Sequence, residues 1–118
     1  MPLQLQTTHT PYWWPLPGYE DEEHPPEFRL APLNGEQSSE LTNSLAFETD
    51  DSLKIEERSV KIALKYGLRD WKNIVDENGN NLEFHRGNIR YLPFEVRSKI
   101  FVEILKRNQL SEQERKNS

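Results

Sequence analysis

The 118-residue chain has no cysteine, one methionine and five dispersed glycines, at 18, 35, 67, 79 and 87. Without thiols there are no disulfides and no thiolate metal site, which suits a reducing compartment. Scattered glycines exclude a phosphate-cradling loop, and no G-x-S-x-G elbow is present to carry a serine nucleophile. No apolar run approaches the roughly 20 residues of a membrane span, and MPLQLQTTHTP has neither the basic nor the apolar region of a secretory signal. A surplus of positive charge is also missing: the net charge is -5, whereas a nucleic-acid binder carries a basic footprint. These absences predict a soluble, non-secreted protein that engages neither nucleic acid nor membrane and uses no cofactor or metal.

The charge that is present is unevenly spread. Residues 1–26 hold Glu20, Asp21, Glu22 and Glu23 and no Lys or Arg, while the rest of the chain is nearly balanced. From Arg86 onward eight bases stand against four acids, which a solvated helix face explains. Six of the eight prolines also fall in residues 1–26. They remove backbone donors and push their predecessors toward extended geometry, so this stretch reads as a polyproline-like or irregular leader outside the folded unit.

Beyond the leader the patterning predicts an α+β domain over 27–109 and a frayed charged tail over 110–118. Glu27–Leu33 reads as an edge-tolerant strand, ended by Asn34-Gly35. A weak helix over 36–48 presents Leu41, Leu45 and Ala46. A stronger one, capped by Asp51 or Ser52, carries Val60, Ala63, Leu64, Gly67, Leu68 and Trp71 at helical spacing, with Gly67 as a left-handed terminator. Residues 71–75 and 82–84 flank Asn78-Gly79, the signature of a hairpin. After a short turn at Arg86–Ile89, Pro93 opens a last helix with a core face of Val96, Ile100, Phe101, Ile104 and Leu105. The expected architecture is a short, hairpin-based antiparallel sheet packed with two main helices.

Each constellation that invites chemistry has a plainer reading. Asp76, Asn78 and Asn80 match the start of a calcium-binding EF-hand loop, but the sixth position is Asn81 and the twelfth Gly87, where Gly and Glu belong. A hairpin turn accounts for the run. His9, His24 and His85 lack ligand spacing. The acids at 20–23 are adjacent in a solvated leader, whereas carboxylate catalysis needs a fixed, partly desolvated pair. No catalytic residue is assigned, and the chain reads as a non-enzyme.

Its most distinctive stretch is PYWWPLPGYEDEE, residues 11–23. Aromatic residues dominate interface hot spots, and proline neighbours reduce the entropy lost on docking. Tyr12, Trp13, Trp14, Tyr19, Glu20, Asp21, Glu22 and Glu23 are therefore the candidate partner-binding residues. The tryptophans either staple the leader to the protein's own core or pack on a partner or a second copy, with the acidic run adding electrostatic steering.

The order of pieces suggests a family. Phe28, Leu30, Pro32 and Leu33 in "EFRLAPLNG", Gly67, Leu68 and Trp71 in "VKIALKYGLRDWKNI", Asp76, Glu77, Gly79 and Phe84 in "DENGNNLEF", and Leu92 and Pro93 in "NIRYLPFEVRSKIFVEIL" resemble small phage tail-assembly chaperones and related structural accessory proteins. The resemblance covers about residues 27–105. It implies a protein that holds a tape-measure or tail subunit during assembly in the host cytoplasm, without nucleotide or cofactor. A virion component, docking through its N-terminal arm at a head-tail or tail position, is the alternative; a small hydrolase or nuclease-like factor is disfavoured.

Overall fold

The computed structural model describes the backbone of residues 10–46 and 52–117, with side chains over 10–44 and 57–108. The order is β1 (Tyr12–Pro15), β2 (Glu27–Leu30), α1 (Gly35–Ala46), α2 (Ser52–Gly67), β3 (Leu68–Lys72), a 3-10 helix (Arg86–Tyr91) and α3 (Phe94–Asn117). It is an α+β fold with a three-stranded antiparallel sheet in the order β1-β2-β3. Among the described residues no helix is long and apolar enough to cross a membrane.

The sheet is antiparallel, as expected, but two of its strands differ from those read in the sequence. β1 lies inside the stretch assigned to a leader, and the boundary drawn at 26/27 cuts between two paired strands: Tyr12 faces Leu30, and Trp14 faces Phe28. Proline density misled here because a strand at a sheet edge tolerates a missing donor, and β1 is such an edge. β3 pairs with β2, not with residues 82–84, and a bulge between Arg29 and Leu30 shifts the register. The Asn78-Gly79 hairpin exists outside this sheet. Its arms are joined by a Val75–Asn81 bridge and by the Leu82 amide donating to the Ile74 carbonyl at 2.8 Å.

Alternation along β2, and in β3 the register shift that pairs Leu68 with Leu30 and Trp71 with Phe28, decide which sheet residues meet the helices. Phe28, Leu30, Leu68 and Trp71 share one core with Leu41 of α1, Val60, Ala63 and Leu64 of α2, and Ile100 and Ile104 of α3. Asn34 starts α1 with a reciprocal cap: its side chain accepts from the Gln37 amide at 2.8 Å, and the Gln37 side chain accepts from the Asn34 amide at 3.1 Å. Where α1 meets α2 the contact is polar and small, with the buried Ser44 and Ser59 hydroxyls 3.2 Å apart. The side chains of Leu45 and Ala46 lie outside those described, and so does the Asp51 cap. α3 continues to Asn117, past Leu110 where fraying was expected.

Gly67 is a second correction. The positive-φ positions among the described residues are Gly18, Asn73 and Gly79, so Gly67 ends α2 without a left-handed turn. Its small size serves packing: a Cβ there would stand 2.7 Å from Cδ1 and 3.2 Å from Cγ1 of Ile104, itself buried. Gly67→Ala is expected to lower stability by about 1–2 kcal/mol, since overpacking outweighs the gain in helix propensity. Ile104→Val, which removes the clashing methyl, should recover part of that loss on top of Gly67→Ala. The urea midpoint is the readout.

Candidate partner-binding surface

Period-two alternation along β1 divides the aromatic stretch. Tyr12 and Trp14 pack against the core, whereas Trp13 points to the opposite face and is 37% exposed. There the Lys72 ammonium sits 4.5 Å and the Arg29 guanidinium 6.0 Å from its ring centroid, both within cation-π range. Trp14 borders a shallow apolar surface shared with Pro17, Phe94 and Val102. Core stapling therefore fits Tyr12 and Trp14 and not Trp13.

Tyr12 meets α3, where Arg107 lies over its ring at 4.6 Å. Burial and the nearby Glu103 carboxylate push the Tyr12 phenol up from 10.0 to about 12, against the opposing pull of Arg107. Below pH 10 the phenol is neutral in both folded and unfolded chains; between pH 10 and 12 the unfolded chain ionises first. Stability tied to this group is therefore present below pH 10 and lost as pH rises toward 12. Because the ring is half-exposed, screening limits the effect to about 1 kcal/mol. Tyr12→Phe should make the melting temperature fall less steeply across that window and remove the latest tyrosine step from an absorbance titration.

The acidic run belongs to an ordered connection between β1 and β2. The Leu16 amide donates to the Pro26 carbonyl at 3.0 Å and closes its base, and Glu22 donates to the Tyr19 carbonyl at 3.1 Å. Glu20 is structural: both carboxylate oxygens accept from the Gly18 amide at 3.1 Å, at a glycine with φ 97 that side-chain-bearing residues rarely adopt. The Gly18 hydrogen bond holds the Glu20 carboxyl below its usual range. Asp21, Glu22 and Glu23 are exposed.

Tyr19 and Glu22 form one wall of an open groove of roughly 780 Å³. The hairpin forms the second wall through Ile74, Val75, Asp76 and Glu77, and the segment Tyr91–Pro93 leading into α3 forms the third. Leu16, Phe28 and Leu82 lie at its base. Local bonds set these walls. Asn73, at φ 64, donates from its side chain to the Pro25 carbonyl at 2.9 Å and ties hairpin to acidic turn. Asp76 Oδ1 accepts from the Asn78 and Asn80 amides at 2.9 and 3.0 Å, which is the turn-building role of an Asx residue. His85 accepts from the Gly87 amide at 3.0 Å and caps the 3-10 helix.

Two side chains at the groove have no reason in the core to be apolar. Val75 is 59% and Tyr91 61% exposed. The charged residues among the described lining are Glu22, Asp76 and Glu77, while Arg90, outside the lining, stacks on the Tyr91 ring at 4.9 Å and donates to its hydroxyl at 2.9 Å. Of the eight candidate residues, the groove gathers Tyr19 and Glu22; Tyr12, Trp13 and Trp14 lie elsewhere on the sheet. Val75 and Tyr91 were not among the candidates. The available signal was local: a 3-10 helix repeats every three residues, which aligns Asn88 and Tyr91, both of which line the groove.

No family model matches the chain, and no significant match to it exists among curated proteins or solved structures.

Proposed function

We propose that this chain is a non-enzymatic assembly factor that holds an apolar, positively charged segment of a partner protein in the groove between the acidic turn, the hairpin and the start of α3. The observation that carries the reading is the pair Val75 and Tyr91, largely exposed at an apolar cleft whose charged lining residues, among those described, are Glu22, Asp76 and Glu77. Exposed apolar side chains gathered in a concave surface favour a protein ligand, and negative charge around them favours a cationic one. The acidic side chains have solvated or turn-building roles: Glu20 caps Gly18, Asp76 organises its loop, and Asp21, Glu22 and Glu23 are exposed.

The resemblance to phage tail-assembly chaperones supplies the biological setting, with a tape-measure or tail subunit as the held partner in the host cytoplasm. In the alternative setting, a virion component, the exposed Trp13 on the outer sheet face adds a contact to a neighbouring subunit, which can be a second copy. Co-expression with the products of neighbouring reading frames tests the chaperone reading. A tape-measure or tail product whose soluble yield rises with this protein, and falls again with Val75→Ser plus Tyr91→Ser, supports it. Yields indifferent to those substitutions contradict it.

A further inference from the structure

On another surface, α2, the 3-10 helix and α3 enclose a pocket of roughly 400 Å³. Lys61 and Lys65 reach its rim from α2, Arg86 and Arg90 from the 3-10 helix, and Arg97 from α3, against a single acid, Glu57. Val60, Leu64 and Ile89 supply an apolar floor. Among the described residues, none of the five cations is within ion-pair distance of a carboxylate; the pairs formed are His24–Glu23, Lys72–Glu27, Lys99–Glu95 and Arg107–Glu103. Arg97 instead donates to the Leu92 carbonyl at 3.2 Å, and Arg90 to the Tyr91 hydroxyl at 2.9 Å. Five cations converging on one acid among the described residues, in a chain of net charge -5, repel one another unless a further anion joins them.

The same chain displays a matching anion. The turn Tyr19–Glu23 carries four acids and one exposed aromatic ring, with the Glu23 side chain 90% exposed. Its folded base holds it in place on the β1–β2 edge of the sheet, so docking costs little ordering entropy. We propose that the basic pocket receives the acidic turn of a second copy, with Asp21, Glu22 and Glu23 facing the Lys and Arg rim and Tyr19 closest to the apolar floor. Pocket and turn are different surfaces, so the contact is head-to-tail and leaves each copy with one free pocket and one free turn. Such a contact propagates into rings or filaments rather than stopping at a dimer. Tyr19 and Glu22 also wall the acidic groove, so a segment held there and a second copy's pocket compete for the turn.

Sedimentation at ~20 mM and ~200 mM salt tests it, because contacts between exposed charges weaken as the screening length shortens. The wild-type average mass should rise with concentration at low salt and fall toward one chain at high salt. Asp21→Lys plus Glu23→Lys alters the turn, and Lys61→Glu plus Arg86→Glu alters the pocket; neither pair touches the lining of the acidic groove. Each double variant alone should associate at least about tenfold more weakly. Mixed in equal amounts, the neutral counterparts Asp21→Asn plus Glu23→Gln and Lys61→Gln plus Arg86→Gln should form a species of two chains and nothing larger, because one intact turn meets one intact pocket. Wild type that stays a single chain at low salt overturns the proposal, as does a mixture that stays monomeric. A turn variant that associates like wild type, beside a pocket variant that does not, assigns the pocket to another anion and also overturns it. Should a charge reversal lower the melting temperature, Lys61→Gln plus Arg86→Gln and Asp21→Asn plus Glu23→Gln give the same comparison.

Discussion

Removing residues 1–26 is expected to abolish the cooperative melting of the domain. The deletion takes away β1 and its pairing with Phe28 and Leu30 in the central strand. It also removes Leu16, 4% exposed, together with the core-packed faces of Tyr12 and Trp14. Burying a large apolar side chain is worth about 1.5–3 kcal/mol, and a half-buried aromatic somewhat less, so the loss reaches about 5 kcal/mol. That equals the lower end of the total stability of a small domain. Circular dichroism over a thermal ramp is the measurement. A truncated chain melting like the full one would contradict the sheet order described here.

Trp71→Ala is expected to cost about 3–5 kcal/mol. The indole is 5% exposed and lies edge-on to two rings, with centroids 6.3 Å from Phe28 and 5.1 Å from Phe84. Its Nε1 donates to the Leu82 carbonyl at 2.7 Å. Alanine leaves a cavity beneath the sheet and strips that carbonyl of its partner. The hairpin then loses its anchor to β3, so the groove wall at Val75 should loosen along with the core. Trp71→Phe retains most of the apolar volume but not the donor, and an intermediate loss is expected from denaturant unfolding. A Trp71→Ala protein with the wild-type midpoint would contradict the packing.

How much of this was legible in the sequence follows from the range of the interactions involved. The helical face through Val60, Ala63 and Leu64, the Asn78-Gly79 turn, the start of α3 after Pro93 and the α+β class all rest on local rules, and the structure has them. Local pattern assigns Gly67 a left-handed helix end, whereas its constraint comes from Ile104, 37 positions along the chain. β1 is not legible in the sequence because proline argues against a central strand and is silent about an edge. Val75 carries no linear signature of exposure and Tyr91 only its three-residue spacing from Asn88, since the three-dimensional course of the hairpin and the 3-10 helix is what leaves them uncovered. The basic pocket is equally invisible: Lys61 and Lys65 repeat as a helix surface, and so do Arg86 and Arg90, until folding sets the two pairs side by side. The Tyr12–Glu23 stretch, by contrast, stood out by composition alone, and alternation then decided which ring turns inward.

The central claim, that the acidic groove selects an apolar and cationic segment, is tested most directly by following the backbone amides of the isotope-labelled protein in a nuclear magnetic resonance titration. Two probes suffice: a short peptide of leucines and lysines, and its counterpart with glutamate in place of lysine. The lysine peptide is expected to shift amides at Tyr19, Val75, Asp76, Tyr91 and Leu92; added salt should weaken the effect, and Val75→Ser plus Tyr91→Ser should remove it without lowering the melting temperature. Equal shifts with both peptides, or shifts that bypass the groove, would contradict it.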